Sequence, residues 1–321
     1  MKKFYGNLAT PDFEVVSKRM FIPNAYGEML NFYALSSKMP SDSEVCIVSC
    51  TSPWFYPPHG KRLVVYILPP LNYERGLRRI YLAPYLFIQR VFLSRIKNKT
   101  LITNSSFSSK IIANAYAIKP GILYPPVQID SFYSKKKDEL IVSVGRFDPT
   151  KRHELLIEAL RKTKTKANCI IMGGIAGDSV NKSLSYIAFL KNLISTYKLN
   201  DRIKLLVNCP HDLLIENLAK AKVYVHCYEN EPFGISIVES MAAGCVPIVH
   251  RSGGAYYDII NNDLHGLSFN TTEELAGQID SIFTNPEFYS KLSKDCLQRA
   301  ESFNDKTFRK NFVNLITKLK N

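Results

Sequence analysis

Glu231-Pro-Phe-Gly-Ile-Ser-Ile-Val-Glu239 sets two carboxylates eight positions apart around a Phe-Gly turn, and the chain runs on as Ser240-Met-Ala-Ala-Gly-Cys-Val-Pro-Ile-Val249. The apolar run Val223-Tyr-Val-His-Cys227 before it reads as a strand, so Glu231 falls on a loop at that strand's carboxyl end. Gly234 to Ala243 reads as a helix closed by Gly244. A helix starting there aims the free backbone N–H groups of Phe233, Gly234 and Ile235, and a positive dipole end, at an anion beyond the sheet edge. Glu239, about a turn further in, is placed to accept hydrogen bonds from neutral hydroxyls beside that anion. A pyrophosphate with a ribose on one side and a sugar on the other matches those contacts.

Outward from this stretch, the second part of the chain alternates strand and helix, the pattern of a parallel α/β sheet. Strands are expected at Leu140–Val144, Cys169–Met172, Ile203–Val207, Val223–Cys227 and Val246–Val249. Helices are expected at His153–Lys162, Ser183–Lys198, Asp212–Lys220 and Gly234–Ala243, with a last helix at Asp305–Lys320. In doubly wound sheets ligands sit outside the carboxyl ends of the strands. Val144-Gly-Arg-Phe-Asp-Pro-Thr-Lys151 lies at such an end: Arg146 and Lys151 are two cations for a leaving diphosphate, and Gly145 allows close approach. Arg152 and His153 read as surface residues at the helix start. Ile170-Ile-Met-Gly-Gly174 closes another strand, and Gly173 is expected to act through its backbone. No Asp-x-Asp pair appears, so neither a metal nor another cofactor is expected.

These stretches resemble the retaining GT-B-type glycosyltransferases of family 4. The Glu-x7-Glu pair matches their signature, and Arg146 and Lys151 match their diphosphate clamp position for position. The resemblance implies two Rossmann-like domains facing across a cleft, with a sugar nucleotide on the second. It implies that Glu231 holds hydroxyls of the transferred sugar and that Glu239 holds those of the ribose. A front-face reaction with retention, without a metal, is the family expectation, with Glu231, Arg146 and Lys151 carrying the catalysis. Arg251-Ser-Gly-Gly254 resembles the family's Gly-Gly loop, but Ala255-Tyr-Tyr-Asp258 stands where Pro-Glu usually follows, which leaves that loop's contact open.

The first part is read through Arg62-Leu-Val-Val-Tyr-Ile-Leu-Pro-Pro70, Leu101-Ile-Thr-Asn-Ser-Ser-Phe-Ser-Ser109 and Ile122-Leu-Tyr-Pro-Pro-Val127. Strands are expected at Glu44–Ser49, Leu63–Ile67 and Thr100–Thr103, with a helix at Ser106–Tyr116 capped by Asn104-Ser-Ser. These segments resemble the acceptor domain of mannosyltransferases that extend dolichol-linked oligosaccharides. Those enzymes carry a His where this chain has Leu68, which cannot hydrogen-bond a sugar or a phosphate. His59, in the preceding loop, either substitutes for it or is a lone loop histidine. The glycine-rich opening loop of the family is not evident in the first 38 residues, so the first domain is expected to be shortened. The expected division is an acceptor domain over 1–135, onto which the helix at 305–321 packs back, and a nucleotide-sugar domain over 136–304, joined near Ser134–Asp138.

Composition bounds the partners. The 321 residues carry 42 Lys and Arg against 28 Asp and Glu, for a net charge of +14. Residues 1–137 hold 19 and 7 of these, a net +12, leaving +2 for the remainder. A surplus confined to one part implies an anionic partner there. Arg75–Arg95 encloses an apolar stretch too short to span a bilayer; an interfacial helix and a buried helix are both open. Read with the resemblance, the acceptor is a saccharide linked to a polyprenyl phosphate at the cytosolic face of a membrane whose anionic surface the basic part meets. A soluble acceptor and a non-catalytic sugar-nucleotide-binding subunit are the alternatives. A nucleic-acid partner is not expected, because no aromatic–basic recognition motif accompanies the charge. The seven cysteines are scattered without metal spacing, Cys46-x3-Cys50 included, and predict reduced, buried thiols and a cytosolic compartment. No apolar stretch of signal-peptide type follows Met1-Lys-Lys.

Overall fold

The computed structural model describes residues 45–50, 62–69, 99–175 and 180–320, together with 80, 83, 84, 87 and 91. His59 and most of Arg75–Arg95 lie outside the described residues; within that segment Ile80 and Phe87 are exposed. Among the described residues no helix is long and apolar enough to cross a membrane. The chain divides into two compact units, Met1–Ile102 with Ile112–Pro120, and Thr103–Ile111 with Gly121–Asn321.

In the first unit β1 (Val45–Cys50) pairs in parallel with β2 (Arg62–Ile67), and β2 with β3 (Lys99–Thr103). Leu63-Val-Val-Tyr-Ile67 is apolar at successive positions because a parallel strand covered on both faces buries both sets of side chains. Val48, Leu63, Val65, Ile67 and Leu101 pack with Ile112 and Tyr116 from helix α1 (Ser106–Tyr116). Leu68 follows β2 and is half-buried.

After β4 (Gly121–Ile122), the second unit builds a six-stranded sheet. Its strands are β5 (Asp138–Val144), β6 (Asn168–Gly173), β7 (Ile203–Val207), β8 (Ala221–His226), β9 (Val246–His250) and β10 (Leu267–Phe269). All neighbours run parallel in the order β10-β9-β8-β5-β6-β7. The connecting helices are α2 (His153–Lys162), α3 (Val180–Thr196), α4 (His211–Lys220) and α5 (Ile235–Ala242). Then come α6 (Thr272–Thr284), α7 (Pro286–Ala300) and α8 (Asp305–Lys320). Successive strands are laid to one side from β5 to β7 and to the other from β8 to β10, so the order reverses between β5 and β8. Adjacent connections leave that point in opposite directions and open a crevice at the carboxyl ends of the two strands. Tyr224, Phe147, Ile141, Leu156, Ile157 and Phe269 are all fully enclosed beneath it. The two units are thus mixed α/β with parallel sheets, a Rossmann-like arrangement in each.

The expected strands and helices of this unit are present, three of them with both ends as expected and the others with ends moved by at most three residues. The expectation for the start of α2 is corrected. His153 is only 2% exposed, and Arg152 takes a left-handed conformation (φ 53°) that turns the chain from the preceding 3-10 turn, Pro149–Lys151, into the helix. The turn delivers His153 inward, where its backbone N–H donates to Tyr186 Oη at 2.8 Å. Among the described residues Cys169, Cys227, Cys245 and Cys296 are free and buried, and Cys209 is half-buried.

Candidate active site at the switch point of the second sheet

Gly145 follows β5, and the chain must turn there within reach of β6. Gly173, at the end of β6, has no Cβ because one would lie 1.8 Å from the Gly145 carbonyl oxygen. That contact seats the Arg146-bearing loop directly on the neighbouring strand. Asp148 then caps the 3-10 turn, accepting from Thr150 N at 2.9 Å and Thr150 Oγ1 at 2.7 Å. The turn presents Lys151 back over the end of β8.

Glu231 meets it there. Lys151 Nζ donates to Glu231 Oε2 at 3.0 Å, and both side chains are mostly shielded from solvent, 17% and 14% exposed. His226 Nε2 lies 2.9 Å from the same oxygen. Since a carboxylate only accepts, that nitrogen carries the proton. The Tyr228 ring sits under Lys151, with Nζ 4.1 Å from its centroid, a cation–π contact. Glu231 Oε1 has no partner among the described residues. The loop expected to resemble the family's Gly-Gly loop fixes Glu231 from behind. Gly254 N donates to Glu231 O at 2.7 Å, and Gly253 adopts φ 73° with the Glu231 backbone where a Cβ would stand.

Burial raises the Glu231 pKa, but the hydrogen bond and charge of His226 and then Lys151 outweigh it and hold the carboxyl at about 2. Burial pushes His153 down to about 4, so that imidazole is neutral near pH 7. At Glu239 burial raises the pKa, offset in part by His211, and the carboxyl has no hydrogen-bond partner among the described residues. It therefore suits neutral hydroxyl donors, whereas Glu231 is already neutralised from one side. Gly234, with φ 107°, starts α5 without a side-chain cap. The N–H groups of Phe233, Gly234 and Ile235 have no acceptor among the described residues. The Phe233 ring anchors this start, stacked on Tyr124 at 5.8 Å and edge-on to Phe303 at 5.4 Å.

The structure thus brings Gly145, Lys151, Gly173 and Glu231 together, and gathers His226, Tyr228 and the N-terminus of α5 around them. Arg146 is exposed on the same loop and forms no ion pair among the described residues. Leu68 belongs to the first unit. Sequence reasoning missed His226 and Tyr228; strand parity is the signal, since 224, 226 and 228 fall on one side of β8 and its extension. It also missed the part played by Asp258, which lies in the loop of Gly253 and Gly254. Asp258 is buried and accepts from Ser106 N at 2.8 Å, Ser106 Oγ at 2.9 Å and Tyr124 Oη at 3.0 Å. A carboxylate here caps α1 and holds Tyr124, which in turn stacks on Phe233.

The depressed Glu231 pKa makes a stability prediction. A carboxyl whose folded pKa lies below its unfolded value contributes stability fully present above about pH 4.5 and lost as pH falls toward about 2. Urea unfolding of wild type and Glu231→Gln should therefore differ by roughly 2.5 kcal/mol more at pH 6 than at pH 2.5. A difference independent of pH over that range contradicts the ion pair.

Residues 102–300 match the family described as glycosyl transferases group 1. The chain is 25% identical over 245 residues to a Dictyostelium discoideum protein named GDP-Man:Man(3)GlcNAc(2)-PP-Dol alpha-1,2-mannosyltransferase, covering 70% of this chain and 48% of that one. Its human counterpart by the same name is 28% identical over 256 residues, with coverages of 73% and 51%. The chain thus spans about half the length of these curated relatives. Among solved structures, Anabaena Alr3699/HepE in complex with UDP superposes with a TM-score of 0.70 at 19% identity, over 80% of this chain and 72% of that one. The likeness establishes the fold as GT-B.

Proposed function

The chain belongs to the glycosyl transferases group 1 family, and from that premise we propose that it moves a hexose of mannose or glucose type from a nucleoside-diphosphate sugar to a saccharide acceptor, with retention and without a metal. The observation that carries the reading is the Lys151–Glu231 pair at the switch point, which puts a cation for the diphosphate and a carboxylate for the sugar at one place. Assignment to family 4 rests on the Glu-x7-Glu and Arg…Lys spacing described above.

In this reading the diphosphate lies against Arg146, Lys151 and the N–H groups of Phe233, Gly234 and Ile235. As the bond from the sugar C1 to the leaving phosphate oxygen lengthens, negative charge grows on that phosphate, and these fixed donors stabilise it more than they stabilise the ground state. The acceptor hydroxyl approaches C1 from the same face. Its oxygen forms the new glycosidic bond and its proton passes to the leaving phosphate oxygen. Glu231 orients sugar hydroxyls through Oε1, and Glu239 takes the ribose hydroxyls. Gly173 keeps the clamp loop seated.

For the donor, the names of the relatives make GDP-mannose the first candidate, and for the acceptor a mannose-bearing oligosaccharide on a polyprenyl diphosphate. The net +12 over residues 1–137 suits the anionic surface at which such an acceptor resides, on the cytosolic side. Transfer of labelled mannose from GDP-mannose to that acceptor, presented in anionic vesicles and in EDTA, should proceed with the new linkage in the donor's anomeric configuration. No transfer from GDP-mannose, UDP-glucose or UDP-N-acetylglucosamine to lipid-linked or soluble saccharides sinks the proposal. One observation favours a second reading: Leu68 presents no polar group after β2, as a sugar-nucleotide-binding subunit without turnover would tolerate. Such a protein binds the sugar nucleotide in the same assay and transfers nothing.

A further inference from the structure

We infer that His226 is a positioning residue that dedicates one oxygen of Glu231 to the protein and thereby reserves the other for the transferred sugar. The inference rests on the donor-site reading above and concerns how that site tells a sugar nucleotide from a bare nucleoside diphosphate.

Three observations support it. His226 is the last residue of β8 and is only 4% exposed, so its ring cannot swing to solvent. It is held face-on by Tyr224, with ring centroids 6.4 Å apart and planes 15° apart, and Tyr224 is itself pinned by its hydroxyl to Ser236 Oγ at 2.8 Å. Its Nε2 and Lys151 Nζ converge on the same atom, Glu231 Oε2, at 2.9 and 3.0 Å. Two donors on one oxygen fix the carboxylate plane, which a single flexible lysine does not. With Lys151 alone, the carboxylate is free to rotate and present either oxygen, or both, to the ammonium. Lys151 would then be drawn away from the diphosphate and Oε1 away from the sugar. Histidine adds a directed donor while leaving the ion pair with Lys151 intact. Sequence reading placed it within a strand and gave it no task.

The test separates selectivity from integrity. GDP, GDP-mannose, UDP and UDP-glucose are titrated calorimetrically into the full chain as wild type, His226→Phe, His226→Asn and His226→Gln. Phe keeps the ring without the donor. Asn keeps polarity, but its amide ends near the Nδ1 position and falls short of Glu231. Gln reaches the Nε2 position. The expected result is that Phe and Asn weaken the preferred sugar nucleotide about tenfold while its nucleoside diphosphate stays within about threefold, and that Gln restores the sugar nucleotide to within about threefold of wild type. Should His226→Phe not fold, the contrast between Asn and Gln carries the same information. Equal losses for both ligands, equal behaviour of Asn and Gln, or no change in any variant overturns the inference. A wild type that binds none of the four ligands instead overturns the donor-site reading, and the inference with it.

Discussion

Lys151→Ala is expected to lower kcat/KM for sugar transfer by about 10²–10³-fold, roughly 3–4 kcal/mol of transition-state stabilisation. The ammonium is one of the two side-chain cations proposed for the diphosphate, and it is the shielded one, 17% exposed, so its charge is little screened. Removing it has a second consequence, because Glu231, itself 14% exposed, is left with His226 alone. Stability should fall by about 1–3 kcal/mol for that reason, as expected when one partner of a shielded pair is lost. The two effects separate in a double variant. Adding Glu231→Gln to Lys151→Ala removes the uncompensated charge and should restore most of the stability, while leaving transfer at the level of the poorer single variant. Recovery of transfer along with stability would mean that Lys151 serves the fold and not the reaction.

Gly173→Ala should be the most damaging single methyl in the second unit near the site. The new Cβ would stand 1.8 Å from Gly145 O and 2.9 Å from Gly145 C, and both belong to backbone that cannot rotate away. Relief requires the β5 end or the β6 end to move by more than an ångström, and the segment displaced carries Arg146 and Lys151. The expected outcome is a loss of about 3 kcal/mol, at the upper end for overpacking, together with at least tenfold weaker sugar-nucleotide binding in the protein that remains folded. Gly174→Ala is the natural control, since its Cβ would meet only Asn208 Oδ1 at 3.6 Å, an ordinary contact. Thermal unfolding of the pair should place Gly174→Ala close to wild type and Gly173→Ala well below it. Equal stabilities would show that the two strand ends are not packed as described.

Much of this was legible in the chain because parallel strands declare themselves. Leu140–Val142, Val223–Val225 and Val246–Val249 are runs without polar interruption, and the glycines and prolines after them mark the strand ends where ligands gather. Between β9 and α8, however, the chain gives little sign of its elements: β10 is only three residues long, α6 and α7 carry many polar residues, and no motif draws attention to them. The site was legible as residues but not as contacts. Lys151 and Glu231 are 80 positions apart, and nothing in their spacing says that they share an ion pair. His153 reads as a surface residue at a helix start; the left-handed Arg152 turn that sends it inward leaves no sequence trace. Asp258 joins Ser106 and Tyr124 across 152 and 134 positions, a partnership that only the folded chain reveals. His59, like most of the first part, falls outside the described residues.

Whether the switch point between β5 and β8 binds a nucleoside diphosphate bearing a sugar is decided by calorimetric titration of the wild-type chain with GDP-mannose and UDP-glucose in the presence of EDTA, beside Lys151→Ala. Wild type should bind one of the two sugar nucleotides at one site per chain, with affinity lost at least tenfold in Lys151→Ala. Absence of binding by wild type to either, or binding that Lys151→Ala leaves unchanged, would contradict such a site.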